Sequence, residues 1–142
     1  MPDIRQMIQI AAAPAAVYPF TSTARGFAEW WAIDITEPDG SVELAFFRRS
    51  SVYRVRLVSS QPPHRAEWIC ETGKEWIGTH IVFELCAAGI GTALAFSHSG
   101  WHAETDYFTS CNTTWGELMF RLKAAAEGRN PGPLFLADGM AR

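Results

Sequence analysis

The spacing of apolar positions along the chain changes its period twice, and each change marks a change of element. Residues 4–10, IRQMIQI, read as a short strand. Ala11 to Ala16 follows, with Pro14 where a first helical turn tolerates a missing N–H. Val17, Tyr18 and Phe20 then predict a short helix, and Gly26 a break before a second helix carrying Phe27, Trp30 and Trp31. From Ile33 the period is two. The turn Glu37-Pro38-Asp39-Gly40 separates IDIT from VELAFF, and Arg48-Arg49-Ser50-Ser51 separates that run from VYRVRLV. Gln61-Pro62-Pro63-His64 precedes RAEWICE, Gly73-Lys74 precedes EWIGTHIVFEL, and Ala88-Gly89-Ile90-Gly91 precedes TALAFSHS. Six strands in about 65 residues at hairpin spacing imply an antiparallel meander.

After Gly100 the pattern turns helical. Phe108, Cys111, Trp115, Leu118, Met119 and Leu122 recur at three- and four-residue steps, one apolar stripe on a helix of about 20 residues. Gly128 is read as its C-cap. Within the strands, alternation places Thr79, Ile81, Phe83 and Leu85 on one face, opposite His80, Val82, Glu84 and Cys86. Leu94, Phe96 and His98 share a face, as do Tyr53, Val55 and Leu57, and as do Trp68 and Cys70. One face of the sheet is therefore apolar and has to be covered. The striped C-terminal helix is the element long enough to do so.

Composition narrows the class. The chain has 142 residues, 48% hydrophobic and 19% charged, with six Trp and a net charge of −3. So much apolar surface excludes a disordered chain, and the length suits one domain. No apolar run approaches the roughly 20 residues that span a bilayer, so membrane insertion is not expected. Nor does the start show a basic stretch, an apolar core and a cleavage site. The acidic balance argues against a nucleic-acid partner. Cys70, Cys86 and Cys111 are odd in number and widely spaced, which points to free thiols and a cytoplasmic setting.

The order strand, two short helices, six-strand meander and long C-terminal helix resembles the START-like, SRPBCC superfamily. Within it, the chain is similar to the group related to the C-terminal domain of the activator of Hsp90 ATPase. The likeness is carried by APAAVYPFTSTARGFAEWW (13–31), EWIGTHIVFEL (75–85), GIGTALAFSHSGW (89–101) and WGELMFRLK (115–123). It implies an α+β helix-grip fold, in which a curved antiparallel sheet of about seven strands wraps the C-terminal helix. The domain would span residues 1–127, with 128–142 an irregular tail whose Leu134-Phe135-Leu136 could dock on the body. Members of the superfamily bind apolar small molecules between sheet and helix, and some cyclise polyketides. The group shares no catalytic set, so none is transferred.

On this reading the inward-facing set from the sheet is Tyr53, Trp68, Cys70, Ile81, Phe83, Leu94, Phe96 and His98. Phe108, Cys111, Trp115 and Met119 face it from the helix, and Phe27, Trp30 and Trp31 close one end. These residues either fill a solid core or line a largely apolar ligand cavity. The expected function is binding of a hydrophobic, apolar or aromatic small molecule, with a homodimer also compatible. Two alternatives stay open: a cofactor-free cyclase- or hydrolase-like enzyme, and a co-chaperone-like interaction domain. For the enzyme, His98 is the acid–base candidate, set against a core histidine bonded to backbone. Cys70 or Cys111 as a nucleophile needs a partner that lowers its pKa; buried free Cys is more often a small hydrophobe.

Other patterns carry less. His98 and His102 have a metal-like spacing that requires one helical face, and Ser99-Gly100-Trp101 reads instead as a strand exit. Asp34, Glu71 and Glu75 are carboxylates that nothing brings together. Arg48, Arg49, Arg54, Arg56 and Arg65 form either a basic strip or a solvated face. No phosphate loop or nucleophile elbow is present, and no motif calls for a cofactor or metal.

Overall fold

A computed structural model describes residues 2–141. Seven strands form one antiparallel sheet: β1 (Ile4–Ile10), β2 (Asp34–Thr36), β3 (Val42–Phe46), β4 (Ser51–Gln61), β5 (Arg65–Cys70), β6 (His80–Ala88) and β7 (Gly91–Ser99). Their order across the sheet is β1-β7-β6-β5-β4-β3-β2. Hairpins join β2 through β7 in sequence, and β1 closes the far edge against β7, with Ile4 opposite His98 and Ile8 opposite Leu94. Helices α1 (Pro14–Ser22) and α2 (Ala24–Ala28) lie between β1 and β2, and α3 (Asp106–Ala126) follows β7. This is the helix-grip arrangement that the resemblance implied, with the striped helix on the apolar sheet face as the alternation predicts.

The strand faces sort as their period predicts. Thr79, Ile81, Phe83 and Leu85 are buried, and Leu94, Phe96 and His98 are buried beside them. Every residue of the α3 stripe, from Phe108 to Leu122, is buried against that face. Thr105 starts the helix by accepting a hydrogen bond from the Phe108 N–H at 3.1 Å. Gly128 ends it with φ +83°, while Gly128 and Arg129 return their N–H groups to Ala125 and Ala124. That pair of bonds is a Schellman cap.

Two expectations about boundaries are corrected. Gly26 lies inside α2 and breaks nothing; the break is Thr23, extended at φ −140°, whose hydroxyl accepts from the Gly26 N–H. Glycine is required at 26 for another reason, because a Cβ there would stand 2.1 Å from the Pro19 carbonyl oxygen. Trp30 and Trp31 consequently follow α2, where Trp31 N bonds Phe27 O at 2.7 Å. The second correction concerns EWIGT. Residues 75–79 form a turn with Gly78 at φ +83°, and β6 begins only at His80. The turn folds the Trp76 side chain into the core, where it is 5% exposed.

The arginine-rich run is a set of ion pairs and not a basic strip. Arg49 holds Asp34 and Glu43, Arg54 holds Glu43, Arg56 holds Glu71, and Arg65 holds Glu67. Residues 128–141 are irregular yet docked. Leu134 N donates to Trp30 O at 3.0 Å and Phe135 N to Trp31 O at 2.9 Å, and the Leu134 side chain is fully buried. At the β3–β4 turn, Phe47, Arg48 and Arg49 all have φ between 51° and 65°. Non-glycine residues pay for that conformation, and the tail braces it: Arg48 N donates to Ala137 O and the Arg48 side chain pairs with Asp138.

Candidate functional site

Sheet and helix do not close on each other everywhere. Where β3 and β4 diverge from the first half of α3, they leave a cavity of about 240 Å³ that opens to solvent. Its wall from the sheet is Phe46, Phe47, Ser51 and Tyr53, and from α3 it is Tyr107, Ser110, Cys111, Thr114, Trp115 and Leu118. Trp31 and Trp76 form the floor side, and Phe135 and Met140 of the tail complete the rim. The rings are ordered against one another. Tyr53 stacks on Trp76 at 4.4 Å with 12° between planes, and Trp31 packs on Trp115 at 5.0 Å. Phe135 meets Phe46 edge-on at 4.7 Å.

Few polar groups reach this space. The Tyr53 and Tyr107 hydroxyls hydrogen-bond to each other at the mouth. Burial pushes both phenols above their ordinary range, and burial likewise raises the Cys111 thiol. All three are therefore protonated at neutral pH. The Trp76 indole N–H is buried with no oxygen or nitrogen acceptor, only the Cys111 sulfur beside it, unlike the indoles of Trp30, Trp68, Trp101 and Trp115, which all have one. No carboxylate, histidine, lysine or arginine is among the lining residues described. Alongside lies a more open hollow of about 580 Å³ that shares Ser51, Tyr53 and Tyr107 and adds Lys74 and Glu75.

Of the residues singled out in the sequence, the structure brings Trp31, Tyr53, Cys111 and Trp115 to this cavity. It places Trp68, Cys70, Ile81, Phe83, Phe96, His98, Phe108 and Met119 in the packed core instead, each at 9% exposure or less. His98 shows why. Its Nδ1 accepts from Trp115 Nε1 at 3.1 Å, and its Nε2 lies 2.8 Å from the Thr79 hydroxyl. Thr79 donates its own proton to Trp76 O, so Nε2 carries the hydrogen and the ring is neutral. Burial depresses its pKa to about 3. It is a satisfied core histidine, bonded through side chains and not to backbone. Cys70 is pushed up to about 12 by burial, the opposite of what a nucleophile needs. His102 is exposed beyond Gly100 and shares no helical face with His98.

Sequence reasoning missed Phe46, Trp76, Tyr107, Phe135 and Met140. Tyr107 was within reach, since it stands one residue before Phe108 and four before Cys111, flanking the stripe. Trp76 was hidden by the strand assigned to EWIGT, and the tail residues by their irregular context.

No family model matches the chain, and no curated protein matches it in sequence. Solved structures do. The Aha1 dimer from Colwellia psychrerythraea, solved in solution, is 28% identical over 91% of this chain and 98% of that one, with a TM-score of 0.80. CalU16 from Micromonospora echinospora is 16% identical over 92% of this chain and 68% of its own, with a TM-score of 0.73. DynU16, from the dynemicin biosynthetic locus, is 18% identical; the match covers 91% of this chain but 48% of DynU16, with a TM-score of 0.71. At such identities the latter two speak for the fold alone. With its seven-strand antiparallel sheet, paired short helices and long C-terminal helix, the chain has the START-like, SRPBCC fold in its Aha1-like form.

Proposed function

We propose that the protein binds a small apolar or aromatic molecule in the cavity between β3, β4 and α3. The observation that carries this reading is the cavity itself, about 240 Å³ of space walled by stacked aromatic rings and bare of charge. A dry apolar cavity of about 150 Å³ already accepts a benzene ring, so a molecule of one or two fused rings is the fitting size. Binding is favoured over turnover by the protonation of the lining. Its phenols and thiol can donate hydrogen bonds, while the base that a cyclase or hydrolase needs is absent from the described wall. The three free cysteines suit a reducing, cytoplasmic setting.

Naphthalene is the simplest probe. It is expected to quench the emission of Trp31, Trp76 and Trp115 saturably and to raise the melting temperature, as any ligand selective for the folded state does. Thr114→Phe, which fills the space from α3, is expected to abolish both effects. An unchanged melting temperature and unquenched emission at saturating naphthalene would overturn the proposal.

A further inference from the structure

The polar groups at the cavity are unbalanced in one direction. Two hydroxyls bonded to each other use one proton between them, so the Tyr53–Tyr107 pair always has a second O–H to offer. Neither hydroxyl has an oxygen or nitrogen partner beyond the other among the described residues, and the Cys111 thiol beside Tyr107 is only a weak acceptor. The Trp76 indole N–H is a second donor, 95% of its residue buried, with no well-formed hydrogen bond and only the weakly accepting Cys111 sulfur beside it. A buried donor left without an acceptor costs about 1–3 kcal/mol, and native interiors leave few such groups unexplained. Donors in excess call for an acceptor from outside. Charge narrows the choice further, because no cation lines the cavity to offset the desolvation of an anion, and Lys74 of the adjoining hollow is matched there by Glu75. A carboxylate or phosphate would have to shed its water without compensation. The lining itself is aromatic, since Tyr53, Trp76 and Trp115 stack in series at 12° and 21° and all three border the space.

We infer that the cavity selects an uncharged aromatic molecule bearing a carbonyl-type acceptor oxygen, received by the Tyr53–Tyr107 pair and the Trp76 N–H. This rests on the small-molecule reading above and adds its chemical class. The ring lies against the aromatic wall formed by Trp31 and Trp115. The oxygen points to the mouth, where the free phenolic proton is. Tyr107 here acts by donating, and nothing is transferred.

Three naphthalenes of equal ring size separate the terms: naphthalene, 2-acetylnaphthalene and 2-naphthoate, titrated by tryptophan emission at neutral pH. The ketone is expected to bind about three- to tenfold more tightly than naphthalene, the range of one net hydrogen bond, and the carboxylate more weakly than naphthalene. Bound ketone should show its carbonyl stretch at lower wavenumber than in hexane. The double variant Tyr53→Phe, Tyr107→Phe should erase the ketone advantage while still binding naphthalene. Trp76→Phe, which keeps the stacked ring, gives a second and milder test with a partial loss of the same ratio. If naphthalene binds and the ketone gains nothing, or if the gain survives in both variants, the selectivity is wrong and the cavity reading stands. If none of the three binds, both fall.

Discussion

His98 sits at a position that alternation identifies as inward-facing, and its neighbours decide what that means. A histidine whose two nitrogens are occupied by Trp115 and Thr79 is a structural strut with a pH signature. Its folded pKa, about 3, lies below the ordinary 6.5. Protons therefore bind the unfolded chain first as pH drops. The contribution to stability is complete above about pH 6.5 and is lost progressively as pH falls toward 3, by at most about 1.4 kcal/mol per pH unit. Urea unfolding at pH 7, 6 and 5 should show this loss before the carboxylates Glu43, Glu67 and Glu127, each held below its ordinary 4.5 by hydrogen bonds, begin to titrate. His98→Leu should flatten that slope. It should also cost about 2–4 kcal/mol, since the Trp115 N–H loses its acceptor and the Thr79 oxygen its donor. The position of His98 was legible from period two. Its chemistry was not, because Trp115 and Thr79 are brought to it by other elements.

Among the elements, those with a regular period were legible and those built on a special backbone conformation were not. The α3 stripe from Phe108 to Leu122 and the β6 and β7 faces follow from spacing alone, because the period itself decides which side is buried. EWIGT has the composition of a strand, but the turn at Gly78 takes it out of the sheet. That single turn moves Trp76 from a strand start to the cavity. The α1–α2 junction makes the same point through packing. Gly26→Ala gains helix propensity, yet its new methyl would meet Pro19 O at 2.1 Å and Phe20 Cα at 2.6 Å. Overpacking of that kind costs typically 1–3 kcal/mol, so the variant should melt about 6 °C lower by calorimetry. It should also disturb Trp30, whose indole N–H donates to Phe20 O. An unchanged melting point would mean that the two helices can separate freely.

Across the whole molecule, the grip and the cavity are held by pieces far apart in sequence. The tail contributes Phe135 and Met140 to the rim and is anchored by the fully buried Leu134. Leu134→Ala should cost about 2–5 kcal/mol of that anchorage. Hydrogen exchange at the Leu134 and Phe135 amides, bonded to Trp30 and Trp31, should accelerate about thirtyfold or more, with β5 to β7 little affected. Such a local response is what a docked segment gives. Uniform acceleration throughout would show instead that the tail unfolds only with the body. The closing of the sheet has a different reach. Because β1 pairs with β7, with Ile4 opposite His98 and Ile10 opposite Thr92, β1 has no partner in this sheet until the last strand of the meander has been synthesised. At synthesis rates of about 5–20 residues per second, its unpaired edge waits for several seconds.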